Sequence, residues 1–222
     1  RFGNQPRIAM WNLTCLARAI RGLFDESASL QSHLERHYAD VYGEAQTTMF
    51  RKKLGLTEQR PIDDALFEEL FSILGLLETD MTIFYRRLAL CTLAGLQLEH
   101  RTDAQLIDPL RPAYYDQQTL KNHQPRIAQW VRRYLRRVRD EGLDDERRRA
   151  SMNQVNPKYV LRNYLAQLAI DQAEKGDGRQ LTELLAVMRH PYDEQPQYEK
   201  YAARRPEWAR HRPGCSMLSC SS

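Results

Sequence analysis

The sequence has few cysteines, few glycines and prolines, and no long apolar run. Only four of its 222 residues are Cys, with 10 Gly and 10 Pro, which excludes a disulfide scaffold and a collagen-like or low-complexity chain. Cys15 and Cys91 lie within helical apolar patterns, where a small buried thiol in a reducing compartment is the usual interpretation. No apolar run approaches the roughly 20 residues that cross a bilayer, and the first residues lack the layout of a signal peptide. We therefore expect a soluble, cytoplasmic protein.

Neither sign of charge is in large excess. A net charge of +4 and a pI near 8.9 are too mild to indicate a nucleic-acid partner by themselves. One helical stretch is rich in cations, namely Arg132, Arg133, Arg136, Arg137 and Arg139. Acids that can neutralise them follow at once: Asp140, Glu141, Asp144, Asp145 and Glu146. An ion-paired, solvated helix face is the favoured interpretation, and nucleic-acid binding is a weaker alternative that requires affinity to fall steeply with salt.

Apolar residues recur at the spacing of an α-helix and almost never alternate as in a strand. The pattern predicts a mainly α fold of about seven or eight helices, with one helical domain over 1–190 and an irregular, extended tail over 191–222. One apolar stripe defines the first helix: Ile8, Trp11, Cys15, Leu16, Ala19, Ile20 and Leu23. The apolar face of a later helix is formed by Ile127, Trp130, Val131, Tyr134, Leu135 and Val138. Two further helices are predicted to face inward with Leu161, Tyr164, Leu165 and Leu168, and with Leu181, Leu184, Leu185 and Met188.

Prolines, glycines and capping residues set the predicted helix boundaries. The polar stretch over about 109–125, which starts and ends with proline, is predicted to be a loop. Asn156 is placed to cap a helix that has Pro157 at its first position and Gly176 as its stop.

No motif in the sequence forms a self-contained active site. His33 and His37 lie one helical turn apart, but Glu35 is not directly after the first His as the zinc-protease helix requires, so a solvated face is favoured over a metal site. There is no Gly-rich phosphate loop, no Gly-flanked nucleophilic Ser and no CxxC pair. We predict no catalytic, cofactor-binding or metal-binding residue in this chain.

The last residues, GCSMLSCSS, contain Cys215 and Cys220. A terminal stretch of this composition is expected to be mobile and exposed, which leaves both thiols open to oxidation or exchange. Four residues separate them rather than the two of a redox motif, so spacing alone favours two incidental thiols.

Four segments occur in the same order as in one known family. FGNQPRIAMWNL opens the chain, VNPKYVLRNYLAQLAIDQAEKGD follows much later, and RRPEWA and SCSS lie near the end. Together they resemble the C-terminal part of the SelO family, also called YdiU. The resemblance implies a protein-kinase-like (pseudokinase) fold that transfers AMP from ATP to Ser, Thr or Tyr hydroxyls of proteins.

The resemblance also places the nucleotide site upstream of Arg1. In the family the residues that hold ATP and Mg²⁺ precede the FGNQP motif, so we expect both cofactors to bind a missing N-terminal part and this chain alone to be inactive. Asn4 and Gln5 are interpreted as backbone or cap partners. Cys220 matches a position that is selenocysteine in some members, which implies a redox or regulatory role with Cys215 or an upstream cysteine as its mate.

Three functions are open at this point. The leading one is a C-terminal helical region that supports and regulates the kinase-like core of an Mg-dependent protein adenylyltransferase, with that core and hydroxyl-bearing protein substrates as partners. The second is a helical protein-interaction module without catalysis, and the third is nucleic-acid binding. No membrane partner is expected, and a eukaryotic source would change the cytoplasmic location to a mitochondrial one. The chain begins with Arg rather than Met, so we expect a fragment that exposes apolar surface normally packed on the core.

Overall fold

The computed structural model describes residues 2–23, 27–93 and 98–215, and these are mostly helical. The α-helices of this part, α1 to α9, are Gln5–Ala19, Ser27–Lys53, Asp63–Leu74, Met81–Leu88, Asp103–Ile107, Gln117–Arg139, Asp145–Val155, Asn163–Ala173 and Arg179–Arg189. Short 3-10 segments cover Phe2–Asn4, Arg21–Leu23, Leu98–His100, Asp108–Ala113, Pro196–Ala202 and Glu207–Ala209.

The mainly α prediction is confirmed. Over the described ranges no residue lies in a β-strand, and an isolated antiparallel bridge joins Thr79 to Tyr114. The described part has nine α-helices where seven or eight were predicted, and the additional one is α5. This helix is only five residues long and is held by a capping box between Thr102 and Gln105. It is too short to show a helical period. None of the described helices is both long enough and apolar enough to cross a membrane.

The chain forms two compact units, divided between Arg51 and Lys52. The first contains α1 and most of α2, and the hydroxyl of Tyr38 donates to the carbonyl of Pro6 at 2.9 Å. Four large residues of the predicted apolar stripe are exposed: Ile8, Trp11 and Leu16 on α1, and Leu23 in the 3-10 segment that follows. A unit of this size has too little surface of its own to cover such a stripe, and Cys15, expected to be buried, is only partly covered.

The core of the second unit is built around α6. Asp116 caps this helix by accepting from the backbone N–H groups of Gln118 and Thr119 at 2.8 and 3.1 Å. The predicted loop over 109–125 was therefore wrong in its second half, and Pro125 lies inside the helix. Burial of the apolar face offsets the lost backbone hydrogen bond. All six residues predicted to face inward are buried: Ile127, Trp130, Val131, Tyr134, Leu135 and Val138.

The segment predicted as the clearest helix begins later than expected. Asn156 ends α7 instead of capping a helix, and its amide donates to the carbonyl of Lys53 at 2.8 Å. The helix α8 starts only at Asn163 because the backbone N–H groups of residues 158 and 159 donate to the carbonyl of Pro191. The predicted stop is confirmed, since α8 ends at Ala173 and Gly176 has a φ of 84°.

The described part of the tail, 191–215, packs on α8 and α9. Its residues Tyr201, Ala209 and Cys215 are buried together with Tyr164, Leu165, Ala169, Leu184 and Val187. Three residues predicted to face inward are instead more than half exposed: Leu161, Leu181 and Leu185. Leu161 precedes α8, whereas Leu181 and Leu185 lie on a side of α9 that the tail does not cover.

Candidate functional site

A polar cluster of the described residues joins the loop before α4 to the tail. We call it the tail anchor, and it consists of Glu78, Asp80, Tyr115, Arg162, Arg204, Arg205 and Arg210. The acids and the tyrosine come from the middle of the chain, whereas three of the four arginines belong to the tail. It brings together residues separated by up to 132 positions.

Asp80 is the buried centre of the tail anchor. One carboxylate oxygen caps α4 by accepting from the backbone N–H of Ile83 at 3.1 Å. The same carboxylate accepts from both terminal nitrogens of Arg162, at 2.5 and 3.0 Å. The Asp80 side chain is only 2% exposed, so a bidentate pair at this depth is protected from salt.

Tyr115 connects Asp80 to the tail. The guanidinium carbons of Arg204 and Arg205 lie 5.4 and 5.3 Å from the centre of its ring, within cation–π range. Its hydroxyl donates to Asp80 at 3.4 Å and accepts from the backbone N–H of Arg205 at 3.2 Å. Burial and the nearby Asp80 carboxylate raise the pKa of Tyr115 above its ordinary value, so the hydroxyl stays protonated and can donate.

Two further acids hold the tail. Glu78 accepts from Arg205 at 2.6 Å and also from Arg210. Asp171 on α8 accepts from Arg212 at 2.5 Å. The groups of the tail anchor are paired with one another, and this arrangement serves to fix the tail.

The position of Cys215 differs from the prediction. Cys215 is 4% exposed and belongs to the core between the tail and α8. The expectation of an exposed thiol at this position was therefore wrong. The tail reaches this core because the tail anchor holds the preceding residues, and Trp208 packs edge-on against Tyr164. Cys220 lies outside the described residues, so its redox role and its partner stay predictions.

The arginines of α6 are largely ion-paired. Three of them pair with acids from other elements: Arg132 with Asp103 at 2.8 Å, Arg133 with Glu69 at 2.6 Å and Arg137 with Asp63 at 2.7 Å. Of the acids that follow this stretch, Glu141 pairs with Arg137 at 2.6 Å. These contacts favour an ion-paired face over a free phosphate-binding face.

The remaining motif residues take no part in a described site. His33 and His37 stack on α2 with ring centres 6.1 Å apart, and no three His, Cys, Asp or Glu side chains in the described ranges converge as a metal site would require. Asn4 occupies the N-cap position of α1 without a side-chain capping bond, and Gln5 is the first residue of that helix.

Sequence reasoning missed the tail anchor. The position of Asp80 before an apolar helix is an N-cap signal that could have marked one member. Nothing in the sequence could show that this carboxylate meets Arg162, which is 82 residues away. In the sequence, RRPEWA indicates only the family resemblance, whereas the structure gives its two arginines contacts with Glu78 and Tyr115.

Comparison with protein families identifies the class of this chain. A family model described as "Protein adenylyltransferase SelO" matches residues 1–189. The match covers most of the sequence, including the whole span from the FGNQP motif to the end of α9. The chain therefore belongs to the SelO family.

Curated relatives support the same assignment. "Protein nucleotidyltransferase YdiU" of Aromatoleum aromaticum is 49% identical over 222 residues, covering 100% of this chain and 40% of the relative. Proteins of the same name from Nitrosospira multiformis and Rhodopirellula baltica are 43% and 47% identical, and this chain covers 42% of each. The chain thus spans about two fifths of the length of the relatives it matches, which are named for nucleotidyl transfer.

Proposed function

We propose that these 222 residues are the C-terminal helical region of a longer protein adenylyltransferase. The full-length enzyme has a kinase-like core that transfers AMP from ATP, with Mg²⁺, to Ser, Thr or Tyr hydroxyls of proteins. The supporting observation is the coverage: the whole chain matches relatives named for nucleotidyl transfer, yet close to three fifths of their length lies outside the match. That remainder offers room for the nucleotide site.

The described residues do not fit ATP and Mg²⁺. They contain no converging set of acidic ligands for the metal. The cation-lined cavity beside Arg86 and Lys158 is also a poor phosphate site, because both side chains already pair with Glu194 at 2.6 Å. We therefore place both cofactors in the part of the enzyme outside this chain, and we predict that this chain alone has no transfer activity.

In this proposal the region supports the core and regulates it. The tail anchor holds the tail, and the tail packs in the core with α8 as far as Cys215. We propose that Cys220 is a regulatory thiol that forms a disulfide when a peroxide accepts the two electrons. An upstream cysteine is the favoured mate, because the Cys215 thiol is buried. Since the relatives named above are bacterial, we place the enzyme in the cytoplasm.

The test is AMP transfer from labelled ATP, with the full-length protein and the 222-residue chain compared at equal concentration. We expect Mg²⁺-dependent labelling of protein hydroxyls by the full-length protein and none by the chain, with chelation of Mg²⁺ as the control. Transfer by the chain alone would show that the nucleotide site had been misplaced. A full-length protein that binds protein partners but transfers no AMP would favour the interaction module.

A further inference from the structure

An open apolar groove lies between α8 and α9. We call it the α8–α9 groove, and its walls include Ala166, Ile170, Ala173, Leu181, Leu185 and Met188. Its volume is about 360 Å³, and no charged side chain lines it. Ile170, Leu181 and Leu185 are 49, 57 and 54% exposed, which is unusual for three neighbouring large aliphatic residues.

The helix α8 is apolar on two sides, and only one of them is covered. Tyr164 and Leu165 are buried beneath the tail, whereas Ile170 and Ala173 line the α8–α9 groove. A helix that is apolar on more than one face is normally buried on each of them. The tail covers the first side, so the second side is left for another element.

The groove has the pattern of a helix-binding surface. Apolar residues lie at i, i+3, i+4 and i+7 on α8, starting at Ala166, and again on α9, starting at Leu181. The α8 set is mainly alanine and the α9 set is leucine and methionine, so one wall is low and the other is high. Small side chains let a helix approach closely while large ones form the ridge beside it. Two helical turns, about 10 Å, match the length of each wall.

We propose that the α8–α9 groove seats an amphipathic helix from the part of the full-length polypeptide outside these 222 residues. The inference rests on the proposed function, since it requires that longer polypeptide. The relatives have about three fifths of their length beyond the match, so such a segment has ample chain from which to come. A segment in the same polypeptide also has a high effective concentration at the groove, which favours it over a second copy of the protein.

The test compares two single substitutions on α9 in the full-length protein. Leu185→Cys places a thiol in the groove, and Ala186→Cys places one at an exposed position outside the groove lining. Each variant is treated with a maleimide, and modification of residue 185 or 186 is followed by peptide mass spectrometry. We expect residue 185 to react at least about tenfold more slowly than residue 186, because local opening must precede its modification.

Equal rates at the two positions would overturn the proposal. Protection of residue 185 that disappears on dilution, together with a dimer in light scattering, would also overturn it, because a second copy would then fill the groove. AMP transfer is measured on the same preparations. If the enzyme transfers AMP but residues 185 and 186 react with the maleimide at equal rates, only the groove proposal is disproved. If residue 185 is protected in a protein that transfers no AMP, the proposed function is disproved and the helix contact remains.

Discussion

Arg162 and Asp80 form a bidentate ion pair between residues 82 positions apart, with nitrogen–oxygen distances of 2.5 and 3.0 Å. The pair joins the first turn of α4 to the N-cap residue of α8. Because Asp80 also caps α4, one buried carboxylate stabilises a helix end and a long-range contact together.

Because Asp80 has both roles, its replacement should lower the free energy of unfolding substantially. Asp80→Ala removes the cap and leaves Arg162, whose side chain is 14% exposed, without its carboxylate, so we expect a loss of about 3 kcal/mol in the free energy of unfolding. Asp80→Asn keeps a capping oxygen and should lose about 1 kcal/mol less. Urea denaturation measures both. The exposed pair of Asp108 with Arg111 is the control, and a loss as small as that of Asp108→Ala would contradict the prediction.

The arginines of α6 should differ sharply in their effect on stability. Arg137→Ala removes the cation that pairs with the buried carboxylates of Asp63 and Glu141, and we expect it to cost about 3 to 5 kcal/mol. Arg139→Ala changes an exposed side chain and should cost less than about 0.5 kcal/mol. Urea unfolding of the two variants gives the comparison. Similar small losses would mean that Arg137 is not a structural residue.

Gly55 and Gly142 allow the effect of backbone strain on stability to be measured separately from the effect of steric crowding. Gly55 and Gly142 both have a φ of 70°, but a Cβ at Gly55 would lie 2.8 Å from the Cγ atoms of Arg148 and Met152. A Cβ at Gly142 would have no neighbour within 4 Å. We expect Gly142→Ala to cost about 1 kcal/mol from strain and Gly55→Ala about 3 kcal/mol from strain and overpacking. Equal shifts of the urea midpoint would rule out the crowding at Gly55.

The reactivity of Cys215 should depend on the tail anchor. Glu78→Ala removes the acceptor shared by Arg205 and Arg210, so the tail should open more often and the Cys215 thiol should react with a maleimide about three to ten times faster. Peptide mass spectrometry distinguishes this thiol from the others. High salt should also accelerate the modification of Cys215, because it screens the ion pairs of Glu78, whose side chain is 39% exposed.

The control for Cys215 is Glu99→Ala, which changes an acid of similar exposure paired with Arg136. It should leave the modification rate unaltered. If both variants accelerate the reaction equally, the effect comes from general loosening of the fold and the tail anchor has no special part in it.

Stability should fall at alkaline pH because of Cys91. Burial raises the pKa of this thiol from its ordinary value of 9.0 to about 12. Between those values the unfolded chain loses the proton and the folded chain keeps it, so stability present below pH 9 is lost as the pH rises toward 12. From pH 8.5 to 10.5 the wild type should lose about 2 kcal/mol more than Cys91→Ala. Parallel urea midpoints for the two proteins would disprove this.

Much of the helical structure could be predicted from the sequence. The apolar face of α6 and the turn at Gly176 depend on neighbours along the chain, and their patterns gave the correct result. The prediction was wrong where distant groups competed. Asn156 has the sequence of an N-cap, but Pro191 and Lys53 take the hydrogen bonds of this region, so α8 starts at Asn163 instead of Pro157.

The sequence by itself determined the helical class, the family resemblance and the absence of a local catalytic motif, because periodicity and short motifs are written in neighbouring residues. Only the tertiary structure decided that Asp80 meets Arg162, that Cys215 is buried, and that the apolar sides of α8 and α9 divide between the tail and an open groove. A helical stripe shows that a face is apolar but not which element will cover it. That choice is made by contacts between residues far apart in the chain.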